Sequence, residues 1–357
     1  MPRSNAGLLD HGYRLWVPLL ICLCLAGCST AGYYSQLAHG HLALMAKREP
    51  ISQVMSAPET SPALRAKLAL SQQARTFASD TLALPDNSSY RVYTDLGRPY
   101  VVWNLFATEE FSLEPVTHCF PIAGCVAYRG FYDPNRARGA AALLKLDGKD
   151  TYIAGIEAYS TLGWFDDPLL SSMLHWSDDR LSALIFHELA HQRLYVPNDT
   201  AFNESFATFV EREGLRQWRV FRGLPAEPDT MVDQRERFTR LVLDLRTHLQ
   251  RLYEEPLEAP TLRDRKRAAF DRFRREYRAL RDREWPNDHR YDRWVEGPLN
   301  NASLLPFGLY DQWVPAFAAL FERAGRDWHR FYEAVAELGK QPAVDRQSTL
   351  EQLTESQ

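Results

Sequence analysis

The segment from Phe186 to Glu211, FHELAHQRLYVPNDTAFNESFATFVE, sets two histidines, three glutamates and one aspartate among mostly apolar neighbours. His187 and His191 are four residues apart, so on a helix they lie one turn apart on one face and can bind one ion together. Glu188, rotated by about 100° from His187, can reach a water on that ion without displacing it, which is the mechanical sense of an HExxH motif. Three ionisable groups on so apolar a helix are costly to bury unless they are coordinated or paired. A catalytic zinc takes three protein ligands and keeps a fourth place for water. For the third ligand the next helix offers Glu204 and Glu211, seven apart and on one face, and the turn before it offers Asp199. Glu204 follows His191 by thirteen residues, which allows a tight turn at Pro197-Asn198 and an antiparallel return to the histidines. The chemistry of such a set is hydrolysis. The ion polarises a carbonyl and acidifies a water, and Glu188 takes the proton and passes it to the leaving amine.

Two helices must carry these groups. The first is expected over Ser177 to Tyr195, with Ser177 as N-cap, Asp178 and Asp179 suiting the positive end of the dipole, and Pro197 as the stop. The second is TAFNESFATFVEREGLRQWRV, from Thr200 to Val220. Upstream, Gly32 to Thr81 reads helical, with Ser61 and Pro62 starting its better half. From Tyr90 to Ile156, Val-, Tyr-, Phe- and Thr-rich runs broken by Pro and Gly predict strands of one small sheet, with a short helix ending near Gly148. Two long charged helices follow, over about Thr230 to Glu254 and Thr261 to Glu284. Leu241, Val242, Leu245, Leu249 and Leu252 form an apolar stripe on the first, as expected of a helical hairpin packed on the domain. A last helix is expected from about Tyr310 to Leu338, and the polar tail after Lys340 reads as frayed. No internal repeat is present.

The 357 residues are 45% hydrophobic and 12% aromatic, enough for a sizeable core, and the formal charge of −4 argues against nucleic acid as a partner. One long apolar run exists, so the chain is not a polytopic membrane protein. That run, Leu15 to Cys28, follows Arg3 and Arg14. Its apolar part is too short to span a bilayer as a helix and matches the core of a signal peptide. It ends in Leu25-Ala26-Gly27-Cys28, which resembles the lipobox of bacterial lipoproteins. The resemblance implies cleavage before Cys28 and a lipid on it, and Ser29 rather than Asp after it implies the outer membrane. Cys22 and Cys24 would leave with the signal. Cys119 and Cys125, six apart in CFPIAGC, then remain in an oxidising compartment and suggest a local disulfide, contributing about 2 kcal/mol.

NESFATFVE resembles the NEGFAxxxE segment of gluzincin aminopeptidases, whose first Glu binds zinc and whose later Glu supports a zinc-binding histidine. The resemblance implies Glu204 as the third ligand and Glu211 as the carboxylate that orients an imidazole. The connection from HELAH is shorter here than in those enzymes. Nearly the whole mature chain is similar to a family of putative zinc aminopeptidases found as lipoproteins in Gram-negative bacteria. CVAYRGFYD, AYSTLGWFDDPLLSSML, HELAHQRLYV and NESFATFVE carry that likeness most strongly. Gluzincin aminopeptidases also carry a Gly-x-Met-Glu-Asn strand whose Glu binds the substrate α-amine. GIEAY matches it at Gly155 and Glu157, which implies that role for Glu157. Tyr310 in NNASLLPFGLYDQW is the tyrosine chosen to donate to the tetrahedral oxyanion. TLGWFDDP is a candidate rim of the cleft, its Asp166 and Asp167 read as a solvated acidic turn.

The expected fold is α+β: a zincin-like domain with a small sheet packed on the active-site helix and a mostly helical C-terminal part closing the cleft. The expected divisions are a signal peptide over 1–27, an N-terminal helical segment over 28–85, a catalytic core over 86–225, a helical region over 226–340 and a tail over 341–357. The expected function is a membrane-tethered, periplasm-facing metallopeptidase with one zinc per chain, acting on peptides as an aminopeptidase. The alternatives are an endopeptidase acting on envelope proteins and a metal-containing binding lipoprotein without activity. An intact Glu188 speaks against the last, because a structural site has no need of a general base.

Overall fold

A computed structural model describes residues 31–120, 124–158, 160–161, 163, 165–225, 230–307 and 312–355. The signal-peptide residues, Cys28 and Tyr310 lie outside them. The chain divides into two compact units, Met1–Lys47 and Arg48–Gln357. In the first, residues 31–46 form helix α1.

The second unit opens with β1 (Glu49–Pro50), α2 (Ile51–Ser56) and α3 (Pro62–Asp80). The strand region holds β2 (Val92–Thr94), β3 (Val102–Thr108), β4 (His118–Phe120), β5 (Gly124–Val126) and β6 (Tyr128–Phe131). Next come α4 (Pro134–Leu146), β7 (Asp150–Ile156) and β8 (Leu169–Leu170). Helices then take over: α5 (Asp178–Arg193), α6 (Thr200–Phe221), α7 (Thr230–Glu254) and α8 (Ala259–Glu284). The short α9 (Asp292–Val295) precedes α10 (Val314–Arg323), α11 (Trp328–Lys340) and α12 (Ala343–Glu355). No described helix is long and apolar enough to cross a membrane.

Among the described residues the strands form three small sheets rather than one. β3 is the centre of the largest, antiparallel to β6 and to β7, with Leu105 opposite Arg129 and Ile153. β2 joins β1 antiparallel and β8 parallel. β4 and β5 form a hairpin in which Cys119 faces Cys125, joined by a disulfide. The β3 sheet lies against α4 and the turn at Asn301–Leu304, whereas α5 packs chiefly on α3 and α6. The active-site helix is thus held helix on helix, not flat on a sheet as the zincin-like expectation had it. Its surroundings explain this. Leu181, Ile185, Phe186, Leu189 and Ala190 are buried, and Phe186 meets Phe77 of α3 and Trp218 of α6.

α6 is apolar on nearly every side. Toward α3 and α5, Trp218 lies tilted against Phe77, ring centroids 5.2 Å apart, and Phe77 meets Phe186 at 6.0 Å. On its other side Phe202 and Phe206 meet Phe317, and Phe209 meets Phe321 and Phe331. Each such fully buried ring contributes about 1.5–3 kcal/mol relative to exposure. Gly214 lets the helices close: a Cβ there would fall 2.7 Å from Leu82 Cδ1 and 3.2 Å from the Phe186 ring. The α7–α8 hairpin forms its own cluster, with Phe238, Val242, Leu245, Leu249 and Leu252 against Phe270, Phe273 and Tyr277. Leu241 of the expected stripe is only partly buried, and Phe238 takes its place.

The C-terminal end departs from the sequence pattern twice. The expected last helix is two, α10 and α11, because Gly325 at φ +72° and Arg326 at φ +58° take left-handed backbone between them, and Asp327 caps the second. The expected frayed tail is α12, which buries Leu350, Leu353 and Arg346. Arg346 donates from Nε and Nη2 to Asp199 Oδ2 at 2.9 and 2.7 Å, and from Nη1 to the carbonyls of Gly339 and Gln341. Asp199 is the N-cap of α6, its Oδ1 accepting from Phe202 N at 3.0 Å. One aspartate therefore starts the helix that carries Glu204 and receives the clamp from the last helix. Arg346→Met should lower the unfolding free energy by about 2–3 kcal/mol, less than a fully buried pair would because Asp199 is partly exposed. Chemical denaturation measures it, and an unchanged midpoint would show that the clamp does not hold the helix.

Candidate metal centre

α5 begins at Ser177, whose Oγ accepts from Arg180 N at 3.2 Å, with Asp178 and Asp179 in its first turn. It ends at Arg193, where Leu194 turns to extended backbone. The return to α6 is short and pinned. Asn203 donates to Val196 O at 2.7 Å and accepts from Val196 N at 2.8 Å, and Asn198 takes φ +63°. Asn203 thereby fixes the turn from the residue next to Glu204, a role the sequence reading did not give it.

The turn brings three of the predicted groups together. His187 Nε2 and His191 Nε2 are 3.1 Å apart, and Glu204 Oε2 lies 3.5 Å from the first and 3.7 Å from the second. These three could hold a metal ion. Atoms at those separations share a point roughly 2.0 Å from each, within the range at which imidazole nitrogen and carboxylate oxygen hold a zinc-sized ion. Glu211, two turns further along the same face of α6, has its Oε2 3.0 Å from His187 Nδ1, so the nitrogen pointing away from the centre is oriented by a carboxylate. His191 Nδ1 is buried with no hydrogen-bond partner among the described residues. Asp199, the remaining candidate ligand, is committed to the N-cap and to Arg346.

Without an ion, the charges balance through a proton. Burial pushes the His187 imidazole down, but the hydrogen bonds it donates to Glu204 and Glu211 and the charges of Glu211 and Glu188 overcome it and hold its pKa at about 10. Burial likewise pushes Glu204 up, and His187 and His191 bring it down to about 2. Glu211 is lowered against its own burial by His187 and Arg235. A metal at the centre takes over the part this proton plays, because ligation needs the lone pair of His187 Nε2.

Glu188 is half-buried on the adjoining face of α5. Its charge reaches two groups that the sequence reading missed or misread. Tyr90 is buried and has φ +62°, and its phenol is raised well above its ordinary value by burial, Glu188 and Asp167. Asp167 is wholly buried, accepting from Thr161 N at 2.9 Å, Thr161 Oγ1 at 2.7 Å and Ser160 Oγ at 3.3 Å. Burial raises its pKa, and Glu188 adds to the effect against those hydrogen bonds. The acidic pair is therefore not a solvated turn: Asp166 alone is exposed. The loop carrying Tyr90 is tied down by buried Arg75, which donates to the carbonyls of Pro85, Asn87 and Ser89, and by Gln72 on Tyr90 O. Asn87 donates to Gln192 Oε1 at 2.7 Å, binding that loop to α5. Tyr195, also missed, follows the last turn of α5. Its ring centroid is 6.4 Å from that of His191, and partial desolvation and the Glu204 charge raise the pKa of its half-exposed phenol.

Glu157 follows β7 directly and lies apart from the triad. Its carboxylate accepts from Trp176 Nε1 at 2.8 Å and Arg180 Nη2 at 3.2 Å, with His175 Nε2 at 3.5 Å. A substrate amine would have to compete with a guanidinium there.

The chain belongs to the putative aminopeptidase family, whose model matches residues 32–350. No curated protein and no solved structure matches it.

The proton on His187 gives the centre a testable signature. Titration with zinc at pH 7 should release about one proton per ion, and affinity should fall about tenfold for each pH unit below His187's pKa. Calorimetry in buffers of different ionisation enthalpy counts the proton. His187→Ala, His191→Ala and Glu204→Ala should each abolish binding, and retention by Glu204→Ala with loss by Glu211→Ala would move the third ligand.

Proposed function

We propose that the protein is a zinc metallopeptidase, an aminopeptidase tethered to a membrane through lipid on Cys28 and acting on peptides in the periplasm. The observation that carries the reading is the His187, His191 and Glu204 triad with Glu188 beside it on the same helix. Membership of the putative aminopeptidase family supports it. Two imidazoles and one carboxylate are a catalytic zinc set, which leaves a place for water.

Bound there, zinc supplies Lewis acidity toward a carbonyl oxygen and a lower pKa for a water. His187, His191 and Glu204 hold it, and Glu211 keeps the His187 ring in line. Glu188 has no coordinating duty. It accepts the proton of the attacking water and delivers it to the departing amine. Tyr195 stands beside His191 and Glu204 with a protonated phenol, and donates to the oxygen on which charge develops. Tyr90 and Asp167 fix the surroundings of Glu188.

One observation favours endopeptidase action as a second reading. Glu157, the carboxylate matched to amine binding, is already engaged by Arg180 and Trp176. A free peptide and its N-acetylated twin separate the two. An aminopeptidase cleaves the first alone, while equal internal cleavage of both promotes the endopeptidase. Glu188→Gln should keep zinc and fold while hydrolysis drops by about 10²-fold or more. If zinc-loaded protein cleaves no peptide at all, the protein is a metal-containing binder.

The lipobox-like run at Leu25 to Cys28 and the Ser29 after it support attachment to the outer membrane. Cys28→Ala should leave unprocessed precursor, and absence of labelled palmitate from the wild-type protein would remove the anchor.

A further inference from the structure

The connection from α5 to α6 is gripped from outside by α11 and α12. The Arg346 guanidinium reaches Asp199 Oδ2 with two nitrogens, at 2.9 and 2.7 Å, and the carbonyls of Gly339 and Gln341 with the third. One side chain thus joins the end of α11 and the start of α12 to the start of α6. The same guanidinium lies 5.5 Å from the ring centroid of Phe202, in the first turn of α6. Gly339 comes so near the connection that a Cβ there would fall 3.0 Å from Val196 Cγ2. The Arg193 guanidinium, at the end of α5, lies 5.2 Å from the ring centroid of Tyr332 on α11, whose hydroxyl donates to Leu82 O at 2.8 Å.

The gripped residues sit within about a turn of the metal-binding groups. Arg193 follows His191 by two positions, and Phe202 precedes Glu204 by two. Val196 is tied through both its backbone groups to Asn203, the neighbour of Glu204. His187 and His191 share α5, so their spacing is set within one helix. Glu204 alone comes from α6, and its carboxylate stands where the start of α6 puts it. Ligand distances tolerate a displacement of only about 0.2 Å. Loss of a group that orients a metal ligand costs about 10–100-fold in affinity.

We propose that Arg346 is a positioning residue for the metal centre, so that docking of α12 and binding of the ion are coupled, each strengthening the other by the same factor. The proposal rests on the metal-binding reading of the triad and is independent of the peptidase reading. With an ion bound, α12 is held more firmly. Without one it opens more often and releases Leu350 and Leu353 from their buried places, so the C-terminal end of the chain reports whether the ion is there.

Zinc affinity tests this on the full chain, by competition with a chromophoric chelator at a temperature where circular dichroism shows each variant folded. Arg346→Met should bind zinc about tenfold more weakly than the wild type, and Arg346→Lys, which keeps the charge, should recover part of the loss. Asp199→Asn keeps an oxygen for the N-cap and removes the charged pair. It should match Arg346→Met, and the two changes together should add little to either alone. Phe273→Leu, in the separate α7–α8 cluster, lowers stability without touching the clamp and should leave zinc affinity unchanged. In the wild type, zinc should slow amide hydrogen exchange across Ala343–Glu355 by a matching factor, and His191→Ala should lose that protection. Wild-type affinity in folded Arg346→Met, an equal loss in Phe273→Leu, or exchange in α12 indifferent to zinc overturns the proposal. A wild type that binds no zinc removes the metal centre itself, and the coupling with it.

Discussion

Two half-buried carboxylates converge on one imidazole, and that convergence needs a positive charge between them. Glu204 and Glu211 approach His187 from its two nitrogens, 3.5 Å and 3.0 Å away. Neither acid could be ionised so deep in the protein beside a neutral ring without a heavy desolvation penalty. A proton on His187 meets the need, and a cation held by the triad would meet it as well. The requirement is local, but it is satisfied only if α5 and α6 keep their spacing and their register to within a fraction of a turn.

Most of the second unit serves that register. Asn203 closes the turn from inside, Asp199 starts α6, and Arg346 reaches back from the last helix to hold Asp199. Gly214 sets how near the helices come, and the rings of Phe77, Phe186 and Trp218 fill the wedge beyond it. On the far side α10 and α11 press an aromatic layer onto α6. The β3 sheet contributes differently. It delivers the end of β7 to the upper part of α5, where Glu157 and Arg180 meet.

The chemistry-bearing groups were legible because their spacing is short-range. A four-residue interval on one helix, and a thirteen-residue return bounded by Pro197 and Asp199, leave little freedom. His187 and His191 follow almost from helix geometry, and the resemblance of NESFATFVE to a known segment singled out Glu204 from Glu211 and Asp199. The N-caps at Ser61 and Ser177 and the lengths of α5, α6 and α7 were readable for the same reason. Partners distant in sequence were not. Nothing near Asp167 tells that the neighbouring Thr161 will wrap it and bury it, and nothing near Arg346 announces Asp199, 147 residues away. The tail looked polar because its apolar residues are few. Leu350 and Leu353 suffice to dock a helix when a buried arginine joins them. Glu157 was visible as a strand-end acid, but the arginine that engages it comes from another element and carries no local signal.

Tyr90 is held by two demands that favour different amino acids. Its backbone sits at φ +62°, where glycine or asparagine is at ease and a bulky aromatic carries strain of about 1–3 kcal/mol. Its side chain fills a fully buried space beside Glu188 and Asp167, which only a ring with a hydroxyl suits. Arg75, Gln72 and the carbonyl of Asp167 resolve the conflict by fixing the loop from outside. Glycine at this position would relax the main chain and leave a hole. Phenylalanine would fill the hole, keep the strain and leave a polar site dry. Neither replacement meets both conditions, so the backbone and the side chain at position 90 ask for different residues.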